Sequence, residues 1–159
     1  MKHKGVFCDT SFFIRLLDAK DPLHYNARGY FKYFAENDYA LLISTIAIAE
    51  YCVGGSLQEL PLRNLQIIPF NLDHAQRTGE FARIIFAKKG ELYIKERKII
   101  PNDTKLFAQA DSEKNADFFI SSDSESIKIY TLLRKESNPK FQFIDLSTPY
   151  NETFGILAI

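Results

Sequence analysis

Four short runs, residues 5–8, 39–43, 118–120 and 141–146, carry mostly apolar side chains at consecutive positions rather than at every second one. A strand built that way must be covered on both faces, the condition of a strand inside a parallel sheet between helices. Helical spacing fills the intervals. Phe12, Phe13, Leu16 and Leu17 follow the first run. Pro22 suits the first turn of a second helix carrying Tyr25, Phe31 and Phe34. Ser44 or Thr45 is suited to cap a helix with Ile46, Ala49, Glu50 and Val53, which stops at Gly54 and Gly55. A short helix is expected over residues 57–60. Residues 65–70 read as an extended segment that Pro69 assigns to a sheet edge. Amphipathic helices are predicted over 72–89, 103–115 and 126–134. This alternation predicts an α/β chain: a three-layer α/β/α sandwich with a mainly parallel central sheet, in a single domain over residues 1–159.

The size fits that reading, since 159 residues bury a sizeable core without a disulfide or structural metal. Lys plus Arg and Asp plus Glu are 20 each, so net charge is zero. A protein that coats nucleic acid through bulk charge is thereby disfavoured, and any nucleic-acid role must rest on a local site. No apolar run approaches the roughly 18 residues of a spanning helix, so no membrane partner is expected. Asp9 follows the basic start too closely for a signal peptide. Cys8 and Cys52 lie in apolar stretches without metal-ligand spacing. Reduced, buried cysteines in a cytoplasmic protein are the expectation.

Four acids stand at the junctions of this map. Asp9 ends the first strand, Glu50 lies in the helix after the second, Asp103 begins a helix, and Asp123 follows the 118–120 strand. In such folds reactive residues gather beyond the carboxyl ends of the strands. Carboxylates crowded there repel one another, and a hard divalent cation, Mg²⁺ or Mn²⁺, removes that penalty through oxygen ligands. Helix capping is a simpler role open to Asp9, Asp103 and Asp123, and the two roles are compatible. Glu50 sits between Ala49 and Tyr51 with few polar neighbours, where a carboxylate without a partner is costly.

Taken together, these motifs resemble the PIN-domain family of metal-dependent ribonucleases, and in particular its toxin components of the VapC type. The resemblance is carried by Phe7-Cys8-Asp9-Thr10-Ser11-Phe12-Phe13, by Ser44-Thr45-Ile46-Ala47-Ile48-Ala49-Glu50-Tyr51, by Asn102-Asp103-Thr104-Lys105-Leu106-Phe107, and by Ala116-Asp117-Phe118-Phe119-Ile120-Ser121-Ser122-Asp123. It implies that Asp9, Glu50, Asp103 and Asp123 are the catalytic, metal-binding acids. It implies that Ser11 and Ser121 hold those acids or a water, and that Asp117 is an accessory acid, although a surface or capping role suits Asp117 equally. Ser11 stands where many members have Asn, and the segment 87–102 is long and charged for a compact toxin-like member.

The reaction so implied is hydrolysis of RNA phosphodiester bonds, with a metal-activated water and no nucleophilic side chain. The sequence agrees. His3 lies in the start of the chain, His24 near a helix start and His74 at a surface-helix position, none within an acidic motif. Gly-x-Ser-x-Gly and Gly-rich phosphate loops are lacking. An RNA-binding rim is expected from Lys88, Lys89, Lys95, Arg97 and Lys98, with Lys105 nearer the metal. Residues 83–98 hold six basic residues against two acids, with Tyr93 among them; a solvated helix end is the simpler use of this charge. Fourteen Phe and eight Tyr give an aromatic load that exceeds what the first two helices bury, so a homodimer interface over residues 12–34 is expected. The resemblance adds a small antitoxin protein as a partner. A non-catalytic PIN-like RNA-binding or scaffold protein is the competing function, and a receiver-like or phosphatase-like Mg²⁺ domain a third.

Overall fold

The computed structural model describes residues 4–88 and 99–157. Five parallel strands, β1 (Gly5–Cys8), β2 (Ala40–Ser44), β3 (Leu65–Ile68), β4 (Phe118–Ser121) and β5 (Gln142–Asp145), form one sheet in the order β3-β2-β1-β4-β5. The helices are α1 (Thr10–Leu17), α2 (His24–Glu36), α3 (Thr45–Tyr51), α4 (Leu72–Lys88), α5 (Asn102–Ser112), α6 (Ser124–Ser137) and α7 (Tyr150–Thr153). The three-layer α/β/α sandwich expected from the sequence is present. Helices α1, α2 and α7 pack together on one face, and α4, α5 and α6 on the other. Leu65–Ile68 is an edge strand, which leaves Pro69 just outside the ladder.

The consecutive apolar positions of the central strands are used on both faces. Phe7 and Phe119 are register partners, stack on each other, and lie on the side of Phe107 of α5. Their neighbour Phe118 points the other way, onto Tyr39 and Phe154. All of β1 is buried. Gly5 opens it because there is no room for more: a Cβ there would lie 2.1 Å from the Asn115 carbonyl oxygen.

Three strands run directly into a residue that caps the next helix. Asp9, Ser44 and Asp123 accept backbone N–H bonds from Thr10, Ile46 and Glu125 at the starts of α1, α3 and α6. The sequence therefore places polar groups at the carboxyl ends of β1, β2 and β4 by a local rule of helix initiation. The chain goes outward from β1 through β2 to β3 on one side and through β4 to β5 on the other. The boundary between β1 and β4 is thus a topological switch point, the position where open α/β sheets leave a crevice.

Several expectations need correction. Phe12, Phe13 and Phe34 are fully buried in the monomer's own core, Phe34 against Phe154, whereas Tyr25 is exposed and Phe31 half-buried, so only these last two remain of the aromatic surplus that motivated a dimer interface. Cys8 is buried, but Cys52, at the end of α3, is exposed. His74 is buried rather than superficial. Its Nδ1 accepts the Asn71 N–H, and Nε2 lies 2.9 Å from Glu113 Oε1 at the end of α5. Pro22 precedes α2 by two residues instead of standing in its first turn.

Candidate acidic site at the sheet switch point

Asp9 is the most tightly held of the four acids. It is only 5% exposed. Oδ1 accepts the Thr10 N–H at 2.8 Å, while Oδ2 accepts the hydroxyls of Ser121 at 2.7 Å and Ser11 at 2.9 Å. The two serines are themselves fixed. Ser11 Oγ accepts the Ser122 N–H, and Ser121 Oγ accepts the Asp123 N–H. The role implied for Ser11 and Ser121, holding an acid, is the geometry observed. Burial pushes the Asp9 carboxyl above its ordinary range, the hydrogen bonds from Ser121, Ser11 and Thr10 oppose that rise, and the charge of Asp123 adds to it.

Glu50 enters from α3, half-buried. The Thr10 hydroxyl lies 3.4 Å from its Oε1 and 3.3 Å from the Ala47 carbonyl, which ties α3 to the start of α1. Burial raises its pKa, followed by the charges of Asp9 and Asp123, against stabilisation from Asn102 and Thr10. Asp103, in the first turn of α5, is pushed up to about 6 by burial and then by Asp9, Asp123 and Glu50, with Ser126 opposing. The buried Ser126 hydroxyl, which makes no hydrogen bond among the described residues, acts on Asp103 as a nearby dipole. Asp123 caps α6 and faces the other three as a charge.

The charges of the four acids reach one another beyond the carboxyl ends of β1 and β4. They do not form a ready-made chelate. Among the described residues, no group of three or more His, Cys, Asp or Glu side chains stands so as to hold a metal ion. The donor set is nevertheless the right one in kind: four carboxylates, all hard oxygen donors. The fit to Mg²⁺ or Mn²⁺ therefore lies in the chemistry of the donors alone.

The remaining expected site residues divide. Asp117 lies at the opposite, entry end of the sheet, where its carboxylate accepts the Gly5 N–H at 3.1 Å, so it is not brought to the crevice. Lys105, two residues after Asp103, donates to Asn102 Oδ1 at 3.3 Å. Lys88 pairs with Glu136 of α6 at 3.0 Å, which draws its charge away from the crevice. Lys89, Lys95, Arg97 and Lys98, with Tyr93, fall outside the described residues. Sequence reasoning missed Thr10, Asn102 and Ser126. Each stands within three residues of a candidate acid, and that adjacency is the signal that would have found them.

No protein-family model and no curated protein matches the sequence. Solved structures do. The chain is similar to VapBC2 from Rickettsia felis bound to a DNA fragment from their promoter, at 20% identity and a TM-score of 0.60, over 89% of this chain and 98% of that one. DNA-bound VapBC from Salmonella typhimurium gives 18% identity and a TM-score of 0.58, over 90% of this chain and 98% of that one. VapC20 of Mycobacterium tuberculosis, a sarcin-ricin loop cleaving toxin, gives 18% and 0.53, over 77% and 93%. The likeness establishes the fold: a PIN-like α/β/α sandwich of the kind seen in VapC chains.

Proposed function

We propose that this PIN-like chain is a VapC-type toxin that hydrolyses phosphodiester bonds in RNA at the acidic crevice, with Mg²⁺ or Mn²⁺ held by Asp9, Glu50, Asp103 and Asp123. What supports the reading is that Asp9, Glu50 and Asp103, carried by separate elements, are raised by burial and then by the charges of other acids in the set, Asp103 to about 6. When bound, a divalent ion supplies an acidified water and positive charge against the phosphate. The chain's own part is orientation. Ser11, Ser121 and the Thr10 N–H fix the Asp9 carboxylate, Thr10 aligns Glu50, and Asn102 stands beside Glu50 at the start of α5.

A protein partner belongs to the same reading. Beside Glu50, a groove of about 450 Å³ combines Ile14, Leu17 and Val53 with Asp18, Glu50 and Glu59. Apolar walls with acidic ends suit an apolar segment carrying a basic residue, the chemistry an antitoxin chain would need in order to block the crevice. A homodimer in the cytoplasm completes the proposal. The second reading, a PIN-like RNA-binding or scaffold protein without chemistry, is favoured by the absence of a formed metal-holding group among the described residues. Labelled structured and single-stranded RNAs incubated with Mg²⁺, Mn²⁺ or EDTA separate the two. Cleavage confined to the metal-containing samples supports the first. RNA binding without cleavage, and without any Mn²⁺-induced rise in melting temperature, supports the second.

A further inference from the structure

A second groove, of about 860 Å³, lies between α2 and α7. Tyr25, Arg28 and Lys32 recur at helical spacing on one side of α2, and Tyr150 and Asn151 of α7 face them. Tyr25 is 85% exposed, although burial of an aromatic ring is normally favourable. Among the described residues, the groove's lining contains two cations, Arg28 and Lys32, and no carboxylate, with Glu36 outside the lining 3.8 Å from the Lys32 ammonium, whereas the groove beside Glu50 has three carboxylates and no cation. Gly29 shapes it: a Cβ there would stand 2.8 Å from the Tyr150 ring, so only glycine lets that ring lie against the helix backbone. Tyr150 also packs on Tyr30 and Tyr33, which fixes its plane.

The groove opens at the same end of the sheet as the acids. Asn26, on its rim, donates to the carbonyls of Leu146 and Ser147 just after β5. The Leu146 N–H donates to the Ser121 carbonyl, and the Ser121 hydroxyl donates to Asp9. Three hydrogen-bonded steps thus connect the groove to the crevice.

We propose that the α2–α7 groove binds a single-stranded RNA segment flanking the bond presented to the acidic crevice. Arg28 and Lys32 take phosphates, and Tyr25 and Tyr150 take base faces. Charge selects this occupant: a polyanion with stackable rings satisfies two cations and two tyrosines together, which is how sequence-tolerant single-strand grooves work. The inference rests on the RNA-directed reading above.

The test is fluorescence anisotropy of a labelled single-stranded RNA of roughly 12 nucleotides with the full-length protein in EDTA, which prevents metal-dependent cleavage. Tyr25→Ala should weaken binding about tenfold and Tyr25→Phe should restore it, since stacking needs the ring and not the hydroxyl. Arg28→Gln with Lys32→Gln should weaken binding and reduce the slope of log affinity against log salt by about 1.4, or about 0.7 per phosphate contact. All three proteins should keep the wild-type melting curve and the wild-type response to Mn²⁺, because the residues are exposed and remote from the acids. Variants that bind RNA with wild-type affinity and salt slope overturn the groove while leaving the crevice reading intact. The same holds if they convert a dimer to a monomer in sedimentation without loss of RNA affinity, which assigns the groove to a second copy. A wild-type protein that binds no RNA overturns both.

Discussion

Replacing Asp103 with Asn should stabilise the metal-free protein, because burial, and after it the charges of three other acids, resist the native carboxylate's charge. Its carboxyl titrates at about 6 in the fold against an ordinary 3.8. Taken at face value that gap costs the folded state about 3 kcal/mol at neutral pH. The carboxyl keeps partial access to water, so screening reduces the figure to about 1.5 kcal/mol. Against this, a negative charge in the first turn of α5 favours the helix by about 0.5 kcal/mol, which Asn forfeits. Repulsion and burial win, and the net gain is about 1 kcal/mol, or about 2–4 °C in melting temperature for a domain of this size. The sign follows from linkage. A raised folded pKa means the fold retains a proton that the unfolded chain has released, so native stability falls as pH rises between the two values. The advantage of Asn should therefore be absent near pH 3, grow from about pH 4 to about pH 6, and level off above. Urea or thermal melts of both proteins in EDTA across that range measure it. An Asn variant less stable than wild type at neutral pH, or a difference that does not change with pH, would refute the crowding argument.

Ser121→Ala removes the hydroxyl that donates to Asp9 Oδ2 and accepts the Asp123 N–H; about 2 kcal/mol should be lost in urea melts at neutral pH. Less should be lost near pH 4, where the raised Asp9 carboxyl is increasingly protonated and needs fewer donors. Gly5→Ala should cost at least about 3 kcal/mol or prevent folding, because the new methyl meets backbone that cannot yield. Gly79→Ala, on the exposed side of α4 with nothing within 4 Å, should instead stabilise by about 0.5–1 kcal/mol, and equal effects of the two alanines would discredit the packing described for β1.

The parts of the fold legible in the sequence were those dictated locally. Strands covered on both faces announce themselves as continuous apolar runs, and residues 5–8 and 118–120 are strand as expected. Asp9 and Asp123 were readable as caps because capping needs a short acceptor directly before a helix, and both do cap. Long-range packing was less legible. His74 looks superficial in its own helix, and only α5, which brings Glu113 to its Nε2, makes the site a buried one. Likewise Phe34 seemed one aromatic too many for two helices because Phe154, which follows α7, could not be foreseen as its cover. Asp117 matches a motif by sequence but sits at the wrong end of its strand to join the acids, a matter of strand direction rather than spacing. Helix α6 starts at Ser124, two residues before the expected start, because Asp123 caps it directly.

Whether the four acids form a working divalent-cation site is tested most directly by Mn²⁺ titration of the wild type and of Asp9→Asn, read by calorimetry and in parallel by cleavage of labelled RNA. Asn preserves the cap of α1, so the variant should fold and melt close to the wild type in EDTA. The expected result is saturable Mn²⁺ binding and Mn²⁺-dependent cleavage by the wild type, with both lost in the variant. Wild-type Mn²⁺ binding and cleavage in Asp9→Asn, or RNA cleavage by the wild type that persists undiminished in EDTA, would contradict the account.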